Sequence, residues 1–182
     1  MSAFGSHISR RVRLARIAAG TLAALTAPTI AVAQDALPPC TTAEYRQFDF
    51  WLGEWEVSNP EGEVVGTNTI TSIIGGCAVH ERWVGSRGGV GESVNAYDRR
   101  TNSWHQTWVG EFGLVLRLEG GLRDDSMVLE GELIEGEGGV LQRITWTPAA
   151  EGSVRQLWET SDDSGANWTT AFDGTYRKID SR

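Results

Sequence analysis

Basic side chains are scarce. The 182-residue sequence holds 16 Lys+Arg against 24 Asp+Glu, a formal net charge of -8. Four of the arginines, Arg10, Arg11, Arg13 and Arg16, lie in the first 33 residues, which contain no acid. The remaining 149 residues carry 12 bases against the same 24 acids, net -12. A chain so acidic lacks the basic face that nucleic acid requires, and it is repelled by anionic membranes. Long apolar runs are equally scarce. Ile17 to Val32 is the one such stretch, and its 16 residues are short for a membrane span. Cysteine is limited to Cys40 and Cys77, with no C-x-x-C spacing. Two thiolates are too few to hold zinc. Hydrophobic residues make up 40% of the chain, which excludes a disordered acidic tail.

The first 33 residues have the anatomy of a secretory signal peptide. The four arginines form a positive n-region, and Ile17 to Val32 the apolar h-region. Ala31-Val32-Ala33 is an A-x-A cleavage site, which places the mature start at Gln34. Ser9-Arg10-Arg11-Val12-Arg13-Leu14 also resembles a twin-arginine export signal, with Arg13 where Phe is usual. Leu37-Pro38-Pro39 before Cys40 is not a lipobox, so no lipid anchor is expected. The expected compartment is the bacterial periplasm or the medium, with no integral membrane segment after cleavage. In an oxidising compartment, Cys40 and Cys77 read most simply as a disulfide closing about 37 residues. A redox or metal pair is the alternative.

The mature chain divides into a lead-in with a short capping helix over 34–53 and a single domain over 54–182. Tyr45, Phe48, Trp51 and Leu52 recur at three- and four-residue spacing, which predicts a helix over about 42–52 with an apolar face that plugs something. From Trp55 the period changes to two. Ten strands are expected, at about 54–59, 64–74, 78–85, 90–98, 103–109, 112–119, 126–134, 140–148, 153–160 and 168–177. Gly- and Asp-rich turns separate them. Short connections make neighbours antiparallel, and ten strands in a row leave long edges unless the sheet closes. The expected fold is therefore an all-β, antiparallel up-and-down barrel with an interior wide enough for a cavity. A flattened, fully packed sandwich is the alternative.

Polar residues interrupt otherwise apolar faces. Glu81 shares a face with Val79 and Trp83, Gln106 with Trp104 and Trp108, and Gln156 with Val154 and Trp158. A buried polar group without a partner costs about 1–3 kcal/mol, so these residues pair with one another or face a wet lumen. The expected ligand-binding set is Glu81, Trp83, Gln106, Trp108, Arg143, Gln156 and Trp158, with Arg143 as the basic partner of Glu81. The same Glu81–Arg143 pair is the best candidate for catalysis. Eight tryptophans in a chain this size suit a pocket for flat ligands. His80 and His105 fall opposite the tryptophans and read as rim or solvent-facing, so no metal site is expected from them. Ser161–Trp168 fits the Asp-box pattern Ser-x-Asp-x-Gly-x-x-Trp, read here as a hairpin turn. No Gly-x-Ser-x-Gly nucleophile motif occurs.

Several motifs carry a family resemblance. Phe48-Asp49-Phe50-Trp51-Leu52-Gly53-Glu54-Trp55-Glu56-Val57 opens the series and Phe172-Asp173-Gly174-Thr175-Tyr176-Arg177 closes it. Between them lie Gly76-Cys77, Glu81-Arg82-Trp83, Trp104–Val109, Arg143–Pro148 and Arg155–Glu159. Together they resemble the DUF1579-like group of small exported bacterial proteins, over the whole mature chain. More broadly, Gly53-Glu54-Trp55 is similar to the Gly-x-Trp of calycins, the lipocalin- and nitrobindin-like barrels. That resemblance implies that Gly53 and Trp55 close one end of the barrel and that Arg177 stacks over Trp55. Nitrobindin-like barrels bind haem through a late His; residues 168–182 contain none, so no cofactor is expected.

These features imply an exported protein that binds a small apolar or aromatic molecule. A small cofactor-free enzyme using Glu81 and Arg143 is one alternative, and a solid envelope interaction protein another.

Overall fold

The computed structural model describes residues 40–135 and 138–179. The signal-peptide expectation, over 1–33, lies outside the described residues. Ten strands follow in order: β1 (Gly53–Ser58), β2 (Val64–Ile73), β3 (Ala78–Gly85), β4 (Val90–Asp98), β5 (Ser103–Gly110), β6 (Val115–Arg123), β7 (Ser126–Glu135), β8 (Gly138–Pro148), β9 (Val154–Ser161) and β10 (Thr169–Lys178). Each pairs antiparallel with its neighbour in sequence, and β1 pairs with β10, so the sheet closes into an up-and-down barrel. Closure is the expected answer to the edge problem, since every strand then has two partners.

The period-two pattern sets the register. Along β5, Trp104 and Gln106 point inward while Thr107 and Val109 are exposed. Two expectations shift in detail. The hairpin after β5 takes in residues 111–114, so β6 starts at Val115. Leu114 then sits in the turn, where its carbonyl accepts from Gly110, and Phe112 stands in solvent. The expected N-terminal helix is two short 3-10 turns, Ala43–Arg46 and Asp49–Trp51. In a 3-10 turn, residues three apart eclipse one another. Phe48 and Trp51 accordingly stack with ring centres 4.9 Å apart.

Those two rings close one end of the barrel. Phe48, Trp51 and Trp55 are fully buried, and Phe48 meets Trp104 and Trp146 edge-on. Trp55 Nε1 donates to the Trp51 carbonyl at 2.8 Å, and Trp104 Nε1 to Gln47 Oε1 at 3.1 Å. Ile70, Val79, Met127, Leu129, Val154 and Tyr176 complete this floor. The plug is tied to the wall by the Cys40–Cys77 disulfide, which reaches the β2–β3 turn. Arg46 reinforces the tie by donating to the carbonyls of Cys40 and Gly76.

The disulfide spans 37 positions. On the chain-entropy model its loss costs about 3–4 kcal/mol. Urea unfolding of the oxidised protein against Cys40→Ser/Cys77→Ser should show that difference. Equal midpoints would mean that the plug holds without the bridge.

Candidate functional site

Above the aromatic floor the lumen turns polar. Glu81 on β3 is only 4% exposed. Its two oxygens accept from Asn68 Nδ2 on β2 and Ser93 Oγ on β4, both at 2.7 Å. The chain of bonds continues around the wall in both directions. Asn95 Nδ2 donates to Ser93 Oγ at 2.9 Å, and Gln106 Nε2 to Asn95 Oδ1 at 2.8 Å. On the other side, Asn68 Nδ2 also reaches Tyr176 Oη at 3.3 Å. Tyr176 Oη and Trp146 Nε1 both donate to Gln156 Oε1, at 2.5 and 3.0 Å. This polar belt runs through β2, β3, β4, β5, β8, β9 and β10. Period-two alternation makes it possible, because each strand contributes one or two inward polar positions at the same height.

Above the belt lies a cavity of about 200 Å³. Glu81, Gln106, Gln156, Trp146 and Tyr176 are at its base, Leu116 and Ile144 at its sides, and Trp83, Trp108, Trp158 and Phe172 toward its mouth. The base is buried, whereas the four mouth rings are half-buried. Three glycines make room for them: Gly66 beside Trp83, Gly91 beside Trp108 and Gly174 beside Phe172. A Cβ on Gly91 would lie 2.1 Å from the Trp108 ring, and one on Gly66 would lie 2.5 Å from the Trp83 ring. Each indole rests flat on a stretch of wall that carries no side chain. Trp158 is fixed differently, donating its Nε1 to Gln142 Oε1 at 2.8 Å.

No Lys, Arg or His among the described residues lines this cavity. Burial therefore dominates Glu81 and lifts its carboxyl from the usual 4.5 to about 7. The Ser93 and Asn68 hydrogen bonds, and then His80, pull the other way. Tyr176 is pushed well above its usual range, mainly by burial and then by the nearby Glu81. Two buried atoms next to Tyr176 lack partners, Asn68 Oδ1 and Trp51 Nε1.

Six of the seven expected ligand-binding residues thus share one cavity: Glu81, Trp83, Gln106, Trp108, Gln156 and Trp158. Arg143 does not join them. It faces outward, paired across the register with Glu159 and forming an ion pair with it at 2.9 Å. Its guanidinium stacks over Trp168 at 3.9 Å. The reason is parity: Gln142, Ile144 and Trp146 are the inward positions of β8, and Arg143 falls between them. The expected Glu81–Arg143 pair therefore does not form. Arg177 is likewise displaced from its expected place. It is exposed on the outer face opposite Glu56, and Lys178, the cross-strand partner of Trp55, lies over that ring at 5.4 Å. Lys178 has the same parity as the inward-facing Tyr176, which Arg177 lacks. Gly53 and Trp55 sit at the plugged end.

Neither His80 nor His105 enters the lumen. His80 meets Glu92 at 3.0 Å on the outer face, and His105 meets Ser103 at 3.2 Å. Among the described residues, no group of three or more His, Cys, Asp and Glu is placed to hold a metal ion. The Asp-box segment is a turn. Asp163 Oδ1 accepts from Asn167 N and Ser161 Oγ, both at 2.8 Å, and hydrogen bonds, Asn167's backbone first, hold its carboxyl down to about 2. Sequence reasoning missed Asn68, Ser93, Asn95 and Gln142. The signal was available: each is a polar residue on an inward-parity position.

The molecule is an all-β protein with a plugged floor, a polar belt and an aromatic cavity. The chain matches no protein-family model and no curated protein. Among the described residues, no helix is long and apolar enough to cross a membrane.

Three variants test the site's construction. A carboxyl whose native value is raised makes the folded state bind a proton that the unfolded state has lost. Glu81 then lowers stability as pH rises from about 4.5 through about 7, by at most roughly 3 kcal/mol. Glu81→Gln should be more stable than the parent at pH 8 and close to it at pH 4.5; a constant offset at both pH values would contradict the assignment. Gly91→Ala should displace Trp108 and cost about 1–3 kcal/mol, as overpacking does. Gly121→Ala, where a Cβ meets nothing within 4 Å, should be near neutral. Equal melting of the two variants would remove the packing role assigned to Gly91.

Proposed function

We propose that this chain is an exported barrel that binds a small, largely apolar or aromatic molecule without altering it. The observation that carries the reading is the cavity: about 200 Å³, with four half-buried rings at the mouth and a polar base. An apolar protein cavity of about 150 Å³ is enough for benzene, so this one suits a ligand of one or two rings. It is smaller than the ~300–1,000 Å³ of drug-sized sites, which argues against a bulky ligand filling the lumen. The rigid floor supports the same reading, since a preformed pocket spares its ligand the cost of ordering the site.

Export through residues 1–33, by the general or the twin-arginine route, belongs to the proposal, as does kinship with the DUF1579-like proteins and the calycin barrels. The disulfide agrees with an oxidising destination. The enzymatic alternative relied on Glu81 acting with Arg143, and those side chains lie on opposite faces of the wall. The solid-barrel alternative is disfavoured by the unfilled lumen.

Indole is a suitable first probe. Added to the oxidised full chain, it should change tryptophan emission saturably and give a 1:1 complex in native mass spectrometry. Leu116→Phe should fill the cavity, keep the fold by circular dichroism and weaken indole binding at least ~10-fold, about 1.4 kcal/mol. Undiminished binding by a folded Leu116→Phe protein would place the ligand elsewhere and defeat the reading.

A further inference from the structure

Resting on that reading of the cavity, we propose that its ligand is a small organic amine, bound as the ammonium with its charge on Glu81 and its apolar part among Trp83, Trp108, Trp158 and Phe172. Charge is the first argument. Glu81 is buried at the base of the cavity, and no cationic side chain among the described residues shares that space. A carboxylate removed from water without a counter-charge is costly, and two neutral hydrogen bonds offset only part of that. Arg143, the nearest expectation for a partner, is spent on Glu159 and Trp168 outside the wall. The missing cation is then supplied by whatever occupies the cavity.

The donor inventory is the second argument. An anionic or carbonyl ligand needs free donors at the base. Asn68 Nδ2, Ser93 Oγ, Asn95 Nδ2, Gln106 Nε2, Tyr176 Oη and Trp146 Nε1 are all engaged with protein acceptors. Trp158 Nε1 is engaged as well. Gln156 Nε2 makes no bond to the protein, but at Glu81, where the ligand's polar group sits, the base offers acceptor capacity, since each carboxylate oxygen has more lone-pair sites than the single bond it receives here. An ammonium is the matching group, with three donors and no acceptor.

The rings are the third argument. They lie toward the mouth, beyond Glu81, and take the apolar body of a ligand whose ammonium sits at the base. The glycine seats under Trp83 and Trp108 lay those indoles against the wall, and Trp83 meets Phe172 edge-on at 5.9 Å. The net charge of -8 adds a long-range field that draws cations inward.

Binding of an ammonium requires Glu81 to be ionised. The titratable groups around it are Tyr176, facing it from β10 and held protonated by burial, and His80, its outward-facing neighbour on β3. The residues facing it from β2 and β4, Asn68 and Ser93, do not titrate. Affinity for an amine should therefore fall as pH drops from 8 to 6, while affinity for a neutral molecule should not.

Benzylamine, benzyl alcohol and benzoate form a series of one shape and three charges. Each is titrated into the oxidised full chain at pH 8 and pH 6, by calorimetry and tryptophan emission. The expected order at pH 8 is benzylamine at least ~10-fold tighter than benzyl alcohol, a gap of about 1.4 kcal/mol, with benzoate weakest. Glu81→Gln should bring benzylamine to the level of the alcohol. The pH dependence in the unaltered protein tests the same point without a variant. Equal affinity for amine and alcohol, or preference for benzoate, overturns the amine assignment and leaves the cavity reading intact. No binding of these three or of indole overturns both.

Discussion

The polar belt of the lumen is arranged around one buried carboxylate, Glu81, and among the described residues no cationic side chain shares its cavity. A charge in that position forces its neighbours to be polar, and each of those needs a partner in turn. The belt from Gln106 through Ser93, Glu81 and Asn68 to Gln156 is the result. Its atoms are placed by seven strands, so it pins the register of most of the barrel. A slip of one residue in any strand would turn a belt residue to the outside and leave its partner unpaired.

The belt also divides the interior into two regions with different roles. Below it, aromatic rings from the N-terminal turns and the wall form a buried cluster and are cross-braced by the disulfide and Arg46. Above it, aromatic rings are held apart by seats in the wall and by Gln142, leaving space. The same residue type, tryptophan, thus serves as filler at one end and as lining at the other. Trp83 and Trp108 line the cavity because the wall beside them carries no side chain, and Trp158 because Gln142 holds it.

Much of this was legible beforehand. Alternation and turn chemistry located ten strands, and the absence of helical segments between them made closure the economical answer. Glu81, Gln106 and Gln156 stood out as polar residues on apolar faces, and they do lie together. The place of Arg143 turns on which face of its strand is inward, and Gln142, Ile144 and Trp146 hold that face. Arg177 came from the calycin resemblance, and parity beside Tyr176 gives its place over Trp55 to Lys178 instead. The 3-10 character of the plug was not legible, because three-residue and four-residue spacings overlap over so short a segment. The cavity's size depends on how the rings lean, which no pattern of types reveals.

The ring has a single seam. Nine of its ten joints link strands that follow one another along the chain, and only the joint between Trp55–Ser58 and Thr175–Lys178 brings distant segments together. Assembly can proceed hairpin by hairpin as the polypeptide lengthens, but the last strand to be synthesised is the one that shuts the cylinder. Until then the growing sheet has two bare margins, ready to join a neighbouring molecule edge to edge. A product cut short before residue 169 would keep them permanently. The hazard of this architecture therefore lies in the interval before the ends meet, when keeping copies apart matters more than the strength of any contact in the finished barrel.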